Sequence, residues 1–270
     1  MSPRLFVTVA SLQARKLMSY RVDFWVGALA TFGTEMAIAY FLWQAIFSTT
    51  DATQIGGFGF RGMIAYYLIV ILVSKLVFGR LRDLTISQEI YEGTLNKYLM
   101  YPSPYGTFKY AEHLGNALPA IIQAAVLGFL AWWVLPLPEE LGITVASALR
   151  AVASLLMANL LLFLLRFPVQ ALAFWVDNVW SLNVMLRFVL EFFGGLLLPL
   201  SLFPGPLREL LDWTPMPYLF YQPTMVLLGE VDTLAWARGL AIAGLWVLIT
   251  ALVSREIWRR GRRVYAGVGI

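Results

Sequence analysis

Six apolar runs dictate what this chain can fold into: 22–47, 62–81, 114–135, 144–165, 185–203 and 236–253. Each approaches or exceeds the roughly 20 apolar residues that an α-helix needs to cross the hydrocarbon core of a bilayer. Lipid offers backbone N–H and C=O groups no partners, so a run that crosses it must close its hydrogen bonds on itself as a helix. The runs are therefore predicted as six transmembrane helices. Composition leaves little room for a soluble alternative. Hydrophobic residues make up 60% of the 270 and charged residues 13%, against roughly 45–50% and 25% in soluble domains. Such a chain has too little polar surface to cover a water-facing exterior. Its 10 Trp and 12 Tyr fit a bilayer too, because their rings collect at the two membrane interfaces.

Basic residues orient the spans. With six spans, both termini fall on one side, together with the loops after the second and fourth. That side carries Arg4, Arg15, Lys16, Arg21, Arg80, Arg82, Lys97, Lys109, Arg166, Arg187, Arg255, Arg259, Arg260, Arg262 and Arg263. Only Arg61, Arg150, Arg208 and Arg238 fall on the other, and Lys75 sits toward the inner end of the second span. Lys and Arg concentrate in cytoplasmic segments, so both termini are predicted to be cytoplasmic. Arg15, Lys16 and Arg21 precede the first long run, which is not the pattern of a cleaved leader, and none is expected. The net charge of +4 is accounted for by these inner segments and the tail 258–263. Anionic lipid headgroups explain that tail more simply than nucleic acid does, and no nucleic-acid partner is expected.

Several chemistries are missing. There is no Cys, which excludes disulfides, thiolate metal sites and Cys nucleophiles. The one histidine, His113, cannot build a His metal cluster, and beside Glu112 alone it lacks the geometry of a nucleophilic triad. No Gly-Lys dipeptide occurs, so there is no GxxxxGK[ST] loop to cradle phosphates. Gly56-Gly57-Phe58-Gly59 reads as a turn and Glu139-Glu140 as a solvated loop rather than an acid–base pair. The chain itself is expected to be no enzyme and to hold neither metal nor cofactor.

Two carboxylates interrupt the spans, Glu35 in the middle of the first and Glu191 near the start of the fifth. A charge at a helix centre costs about 2.5–3.5 kcal/mol on insertion scales. Each carboxylate therefore either lines a substrate pathway or proton relay, or is paired inside the bundle. Phe32, Phe192 and Phe193 nearby suit an apolar pathway wall or ordinary helix packing. Lys75 and Arg187 are expected to reach toward the inner interface as anchors.

Between the spans, residues 1–21 alternate Leu5, Val9, Leu12 and Leu17 with Arg4, Gln13, Arg15 and Lys16, as suits an amphipathic interfacial helix. The external segment 204–235 is semi-apolar and broken by Pro204, Pro206, Pro215, Pro217 and Pro223. The only long cytoplasmic loop, 82–112, holds Glu89-Ile90-Tyr91-Glu92-Gly93-Thr94-Leu95, then Leu99 and Pro102. This resembles the E-I-x-x-G-x-L-x-x-x-L-x-x-P segment that follows the second span in ABC-2 type transporter permeases. Other matches follow in order: Tyr20-Arg21, Ala173-Phe174-Trp175, Gly194-Gly195, Leu198-Pro199-Leu200, Phe203-Pro204, Gln222-Pro223, Trp258-Arg259-Arg260-Gly261 and Gly267. They extend over nearly the whole chain.

The resemblance implies an all-α polytopic membrane protein of the ABC-2 type exporter fold, with residues 1–270 forming one transmembrane domain. Its parts would be six transmembrane helices, an interfacial helix in 1–21, a cytoplasmic coupling helix in 82–112 and external re-entrant helices in 204–235. It implies the permease subunit of an ATP-driven ABC transporter in the bacterial cytoplasmic (inner) membrane, exporting a hydrophobic, lipid-like or drug-like substrate. ATP and Mg would be bound by a separate ABC ATPase, present in two copies, and a second permease, identical or homologous, would complete the complex within the membrane lipids. Glu89, Ile90, Glu92, Gly93, Leu95 and Leu99 would form the ATPase-coupling segment. Glu89 and Glu92 would meet basic groups on the ATPase, Ile90, Leu95 and Leu99 would pack, and Gly93 would permit close approach. Phe32, Glu35, Glu191, Phe192 and Phe193 would line the substrate pathway. The competing reading is an ion-gradient-coupled secondary transporter with Glu35 and Glu191 as coupling carboxylates. Such folds usually carry internal repeats and helices broken near the midplane, which the sequence does not display.

Overall fold

The structure, a computed structural model, describes residues 1–19, 21–50, 52–79, 85–101, 103–134 and 144–265. Leu135, Pro136, Pro138 and Glu139-Glu140 lie outside the described residues, as do Tyr20, Arg80, Arg82, Pro102 and Gly267. No strand occurs among the described residues. The helices are α1 (Pro3–Ser19), α2 (Arg21–Thr50), α3 (Phe60–Phe78), α4 (Thr85–Tyr91), α5 (Asn96–Leu99), α6 (Tyr105–Val134), α7 (Val145–Ala171), α8 (Trp180–Phe193), α9 (Gly205–Leu211), α10 (Tyr221–Leu228) and α11 (Thr233–Val264). Local chemistry sets several of their ends. Thr144 and Ser147 cap α7 reciprocally, each side chain accepting from the other's backbone N–H, and the Asp232 carboxylate accepts from Ala235 N at 2.6 Å to start α11.

Among the described residues, five helices are long and apolar enough to cross a bilayer: Val22–Thr50, Phe60–Phe78, Tyr105–Ala131, Val145–Phe174 and Thr233–Val264. They correspond to the first, second, third, fourth and sixth predicted spans. The fifth, 185–203, is not one continuous helix. Helix α8 covers 14 residues, about 21 Å at 1.5 Å per residue, and stops at Gly194. Gly195 then takes a left-handed φ of 89°, and Pro199 precedes a 3₁₀ turn at Leu200–Leu202. The glycine pair lets the chain turn where neighbours crowd it. A Cβ on Gly195 would lie 2.9 Å from the side chains of Leu200, Tyr221 and Tyr66. The carbonyls freed by the break are not left bare: Tyr66 Oη donates to Gly195 O at 2.6 Å and Tyr67 Oη to Leu197 O at 2.8 Å. In an apolar surrounding that satisfaction is what makes a broken helix tolerable.

Helix α3 is the centre of the core. Its Met63, Ile64, Tyr66 and Val70 are fully buried, and α2, α6, α7 and α10 pack around it. A second, smaller core joins Ile86, Ile90 and Leu95 to Tyr105, Phe167 and Ala173 at the end of the bundle that carries α4 and α5. At the other end, Gly56 sits against Ser201 and Leu202. The proline-rich segment after α8 packs inward, with Leu219, Phe220 and Thr224 wholly buried.

Helix α1 runs lengthwise beside the first half of α6. Phe6 meets Tyr110 at 6.1 Å between ring centroids, and Gln13 Nε2 donates to Asn116 Oδ1 at 3.0 Å. Gly115 makes the approach possible, because a Cβ there would stand 2.4 Å from the Ala10 carbonyl oxygen. Leu5, Val7, Leu12 and Met18 remain exposed on α1.

Candidate coupling surface and intramembrane cavity

The segment from α4 to α5 turns at Gly93, whose φ of 70° suits glycine far better than any side chain. The turn brings Leu95 N to within 3.0 Å of Glu89 O. Ile90 and Leu95 face inward, Leu95 with no exposed surface. Glu89 faces inward as well. It was expected to present its carboxylate to a partner, but Tyr105 Oη and Lys109 Nζ each donate to it at 2.6 Å. Lys109 also donates to Glu112 at 2.7 Å, and its ammonium lies 4.5 Å from the Tyr98 ring centroid. Burial and the Glu112 and Glu89 carboxylates push the Tyr98 phenol well above its ordinary range, so it stays protonated. Lys109 is only 4% exposed. A lysine buried to that degree is tolerable because two carboxylates and a phenol ring receive it.

The outer edge of the segment carries other residues. Glu92 is exposed and accepts from Gln88 Nε2 at 2.7 Å. Asn96, Lys97, Met100 and Tyr101 are exposed beside it, Met100 to 80%. Leu99 belongs to α5, and its side chain lies outside the described part. The six predicted coupling residues thus divide: Ile90, Leu95 and Glu89 fix the segment to the bundle, and Glu92 faces out.

The segment is held by three long helices. Glu89–Lys109 ties it to α6. Gln170 Oε1 accepts from Ile86 N at 3.2 Å and ties it to α7. Helix α11 joins through Trp258, which stacks on Tyr105 and meets Phe174 edge-on at 5.3 Å. Gly261 sits under Phe174 where a Cβ would come within 2.1 Å of the ring. Tyr105 and Lys109 were not singled out for this role in the sequence. Each lies far from Glu89 along the chain, and no periodicity links them.

A cavity of about 350 Å³ opens between α2, α3, α6 and α8. Glu35 and Glu191 both line it, together with Asp23, Lys75 and Arg187. Arg187 Nε donates to Glu191 Oε1 at 2.5 Å, and the Lys75 ammonium lies within electrostatic reach of Glu35. Lys75 and Arg187, expected to reach toward the inner interface, each stand beside a carboxylate at this cavity, Lys75 near Glu35 and the half-exposed Arg187 on Glu191, and an opposite charge offsets the cost of leaving water. The expected aromatic wall is also different. Phe32 is buried in the α3-centred core. Phe192 and Phe193 pack with Phe203, centroids 5.4 and 6.1 Å apart, at the end of α8. Phe24 and Phe78 line the cavity in their place.

No curated protein and no solved structure matches the chain. The family model described as ABC-2 family transporter protein does match it, over residues 34–269. Members of that family are membrane proteins that work with ABC ATPase partners. Five long apolar helices, three of them lining a charged cavity, agree with that match over most of the sequence. This chain belongs to the ABC-2 transporter family and is a multi-pass transmembrane transport protein.

Proposed function

We propose that the chain is the permease subunit of an ATP-driven ABC transporter that exports a hydrophobic, lipid-like or drug-like substrate across the bacterial cytoplasmic membrane. Two copies of a separate ATPase bind ATP and Mg, and a second permease, identical or homologous, completes the pathway. Both termini are cytoplasmic by the excess of Lys and Arg on that side. Helix α8 with residues 194–203 makes the fifth of six crossings as a broken span, α9 and α10 re-enter from outside, and α1 lies at the inner interface.

The observation that carries this reading is the attachment of the α4–α5 segment. Its outer edge, Gln88, Glu92, Lys97 and Met100, is exposed, while its inner face is joined to α6 and α7 directly and to α11 through Tyr105. A push from an ATPase on that edge passes into three long helices at once, because packed interiors transmit displacement rather than absorb it. Glu89→Ala with Gly93→Trp removes the ion pair and the turn. The variant is expected to insert normally and to lose substrate-stimulated ATPase activity in the purified complex; unchanged transport would overturn the coupling role. Purification from the native membrane with mass spectrometry of bound chains tests the assembly, and an ABC ATPase is expected among them.

A second reading rests on Glu35 and Glu191 lining one cavity, which also suits an ion-gradient-coupled transporter. Flux that collapses with the proton or sodium gradient and needs no ATPase favours that reading.

A further inference from the structure

Helix α11 is 32 residues long, about 48 Å at 1.5 Å per residue and well beyond the roughly 30 Å of a bilayer's hydrocarbon core. Its outward face changes character along that length. Leu245, Leu248 and Leu252 are each more than half exposed, as suits contact with acyl chains. At the same steps of three and four residues the stripe continues as Arg255, Arg259 and Arg262, all exposed, with Arg263 beside them. The apolar run ends at Val253. Arg255 and Arg259 stand about 3 and 9 Å past it along the axis, at the depth of the headgroup layer.

Residues 254–264 hold five arginines and one acid, Glu256. Arg259 and Arg260 both donate to it. Arg255, Arg262 and Arg263 have no carboxylate within ion-pair distance among the described residues. The opposite face of the same three turns is packed. Ser254 and Gly261 are buried, and Ile257 and Trp258 lie against the second core, which holds Ile86, Ile90 and Leu95. Trp258 stacks on Tyr105, whose hydroxyl donates to Glu89. One rigid stretch of helix thus carries arginines on its outer side and the junction to the α4–α5 segment on its inner side, and packed interiors transmit displacement.

From this we infer that anionic phospholipid headgroups bind the arginine face of α11 and, through Trp258 and Tyr105, steady the α4–α5 segment. The arginines continue the lipid-facing stripe of α11, so the occupant that fits them is the negatively charged surface of the bilayer and not an acidic protein. This link needs only that the chain spans a membrane, not that an ATPase meets the segment, so it and the coupling role fail separately.

Hydrogen–deuterium exchange of the full chain in nanodiscs of phosphatidylglycerol or phosphatidylcholine reads the link directly, because amide exchange follows local opening. Exchange over the α4–α5 segment is expected to be about fivefold slower in phosphatidylglycerol, the weight of one arginine beside an anionic surface. A triple variant, Arg255→Gln with Arg262→Gln and Arg263→Gln, is expected to lose that difference. All three are exposed, so the fold survives their replacement. Removing the same charge from α1, by Arg4→Gln, Arg15→Gln and Lys16→Gln, is expected to leave the difference intact. Trp258→Ala should still retain phosphatidylglycerol in native mass spectrometry yet lose the difference, whereas Trp258→Phe should keep it. Equal exchange of the wild type in the two lipids overturns the link. So does a difference that persists in the arginine triple or in Trp258→Ala, or one that both triples lose alike. An arginine triple that keeps the lipid response but no longer retains an ATPase from the native membrane also overturns it, and marks the face as a protein contact.

Discussion

Trp258 near the end of α11 lies flat on Tyr105 at the start of α6, with ring centroids 4.4 Å apart and planes 6° from parallel. The same Tyr105 donates its hydroxyl to Glu89 at 2.6 Å. One phenol therefore joins the last helix to the α4–α5 segment, by its face to one and by its edge to the other.

Trp258→Ala is expected to break that junction without removing any group from the exposed edge of the segment. Stacked aromatic pairs contribute about 0.5–1.5 kcal/mol beyond their buried area, so the variant should stay folded with a modestly lowered melting temperature. In the purified complex, an ATPase would still co-purify, but stimulation by substrate should fall severalfold. Trp258→Phe keeps a ring on Tyr105 and should retain most of the stimulation. Equal loss in both variants would argue against stacking as the cause.

Lys109→Ala leaves Glu89 and Glu112 facing each other without their shared cation. Removing one partner of a buried ion pair typically costs about 3–5 kcal/mol. The single variant is expected to be strongly destabilised in thermal unfolding in detergent. Adding Glu89→Gln should recover part of the loss, because neighbouring groups in one network do not act additively. Simple addition of the two single effects would show that the pair contributes no coupling.

Gly115→Val places branched carbons where the Ala10 carbonyl oxygen already stands, 2.4 Å from an ideal Cβ. Helix α1 should move off α6 while the five long helices, whose packing does not involve this contact, remain inserted. Limited trypsin digestion checks this at Arg15 and Lys16, which should be cut faster than in the wild type. An unchanged digestion pattern would mean that α1 is not held by this close approach.

Because the chain has no Cys, single cysteines can report access to the intramembrane cavity without background. Thr31→Cys and Ser74→Cys line it, whereas Phe41→Cys lies on the exposed apolar side of α2. In membranes opened on the terminal side, a charged, impermeant thiol reagent is expected to label the first two and spare the third. Labelling of all three alike would mean that the cavity is no more open to water than the lipid-facing surface.

The sequence by itself determined the long helices, since lipid demands continuous apolar length and leaves the backbone no partner but itself. Five of the six predicted runs are such helices. The ordered match over residues 89–99 marked that loop, but it assigned Ile90 and Leu95 to packing against a partner, whereas both are buried in the bundle's own second core, and Gly93, read as permitting close approach, makes the turn. What only the tertiary structure decided are the pairings between helices. Glu35 and Glu191 stand on helices far apart in the chain, yet they line one cavity with Lys75 and Arg187. Glu89 reads as an outward-facing acid until Lys109 is folded against it. The apolar run at 185–203 reads as one span until Tyr66 and Tyr67 are seen to receive the carbonyls that its break sets free. Apolar length is a local property that the bilayer enforces residue by residue. Which charge meets which depends on the crossing and rotation of helices remote in sequence, and packing sets those only when the whole bundle is assembled.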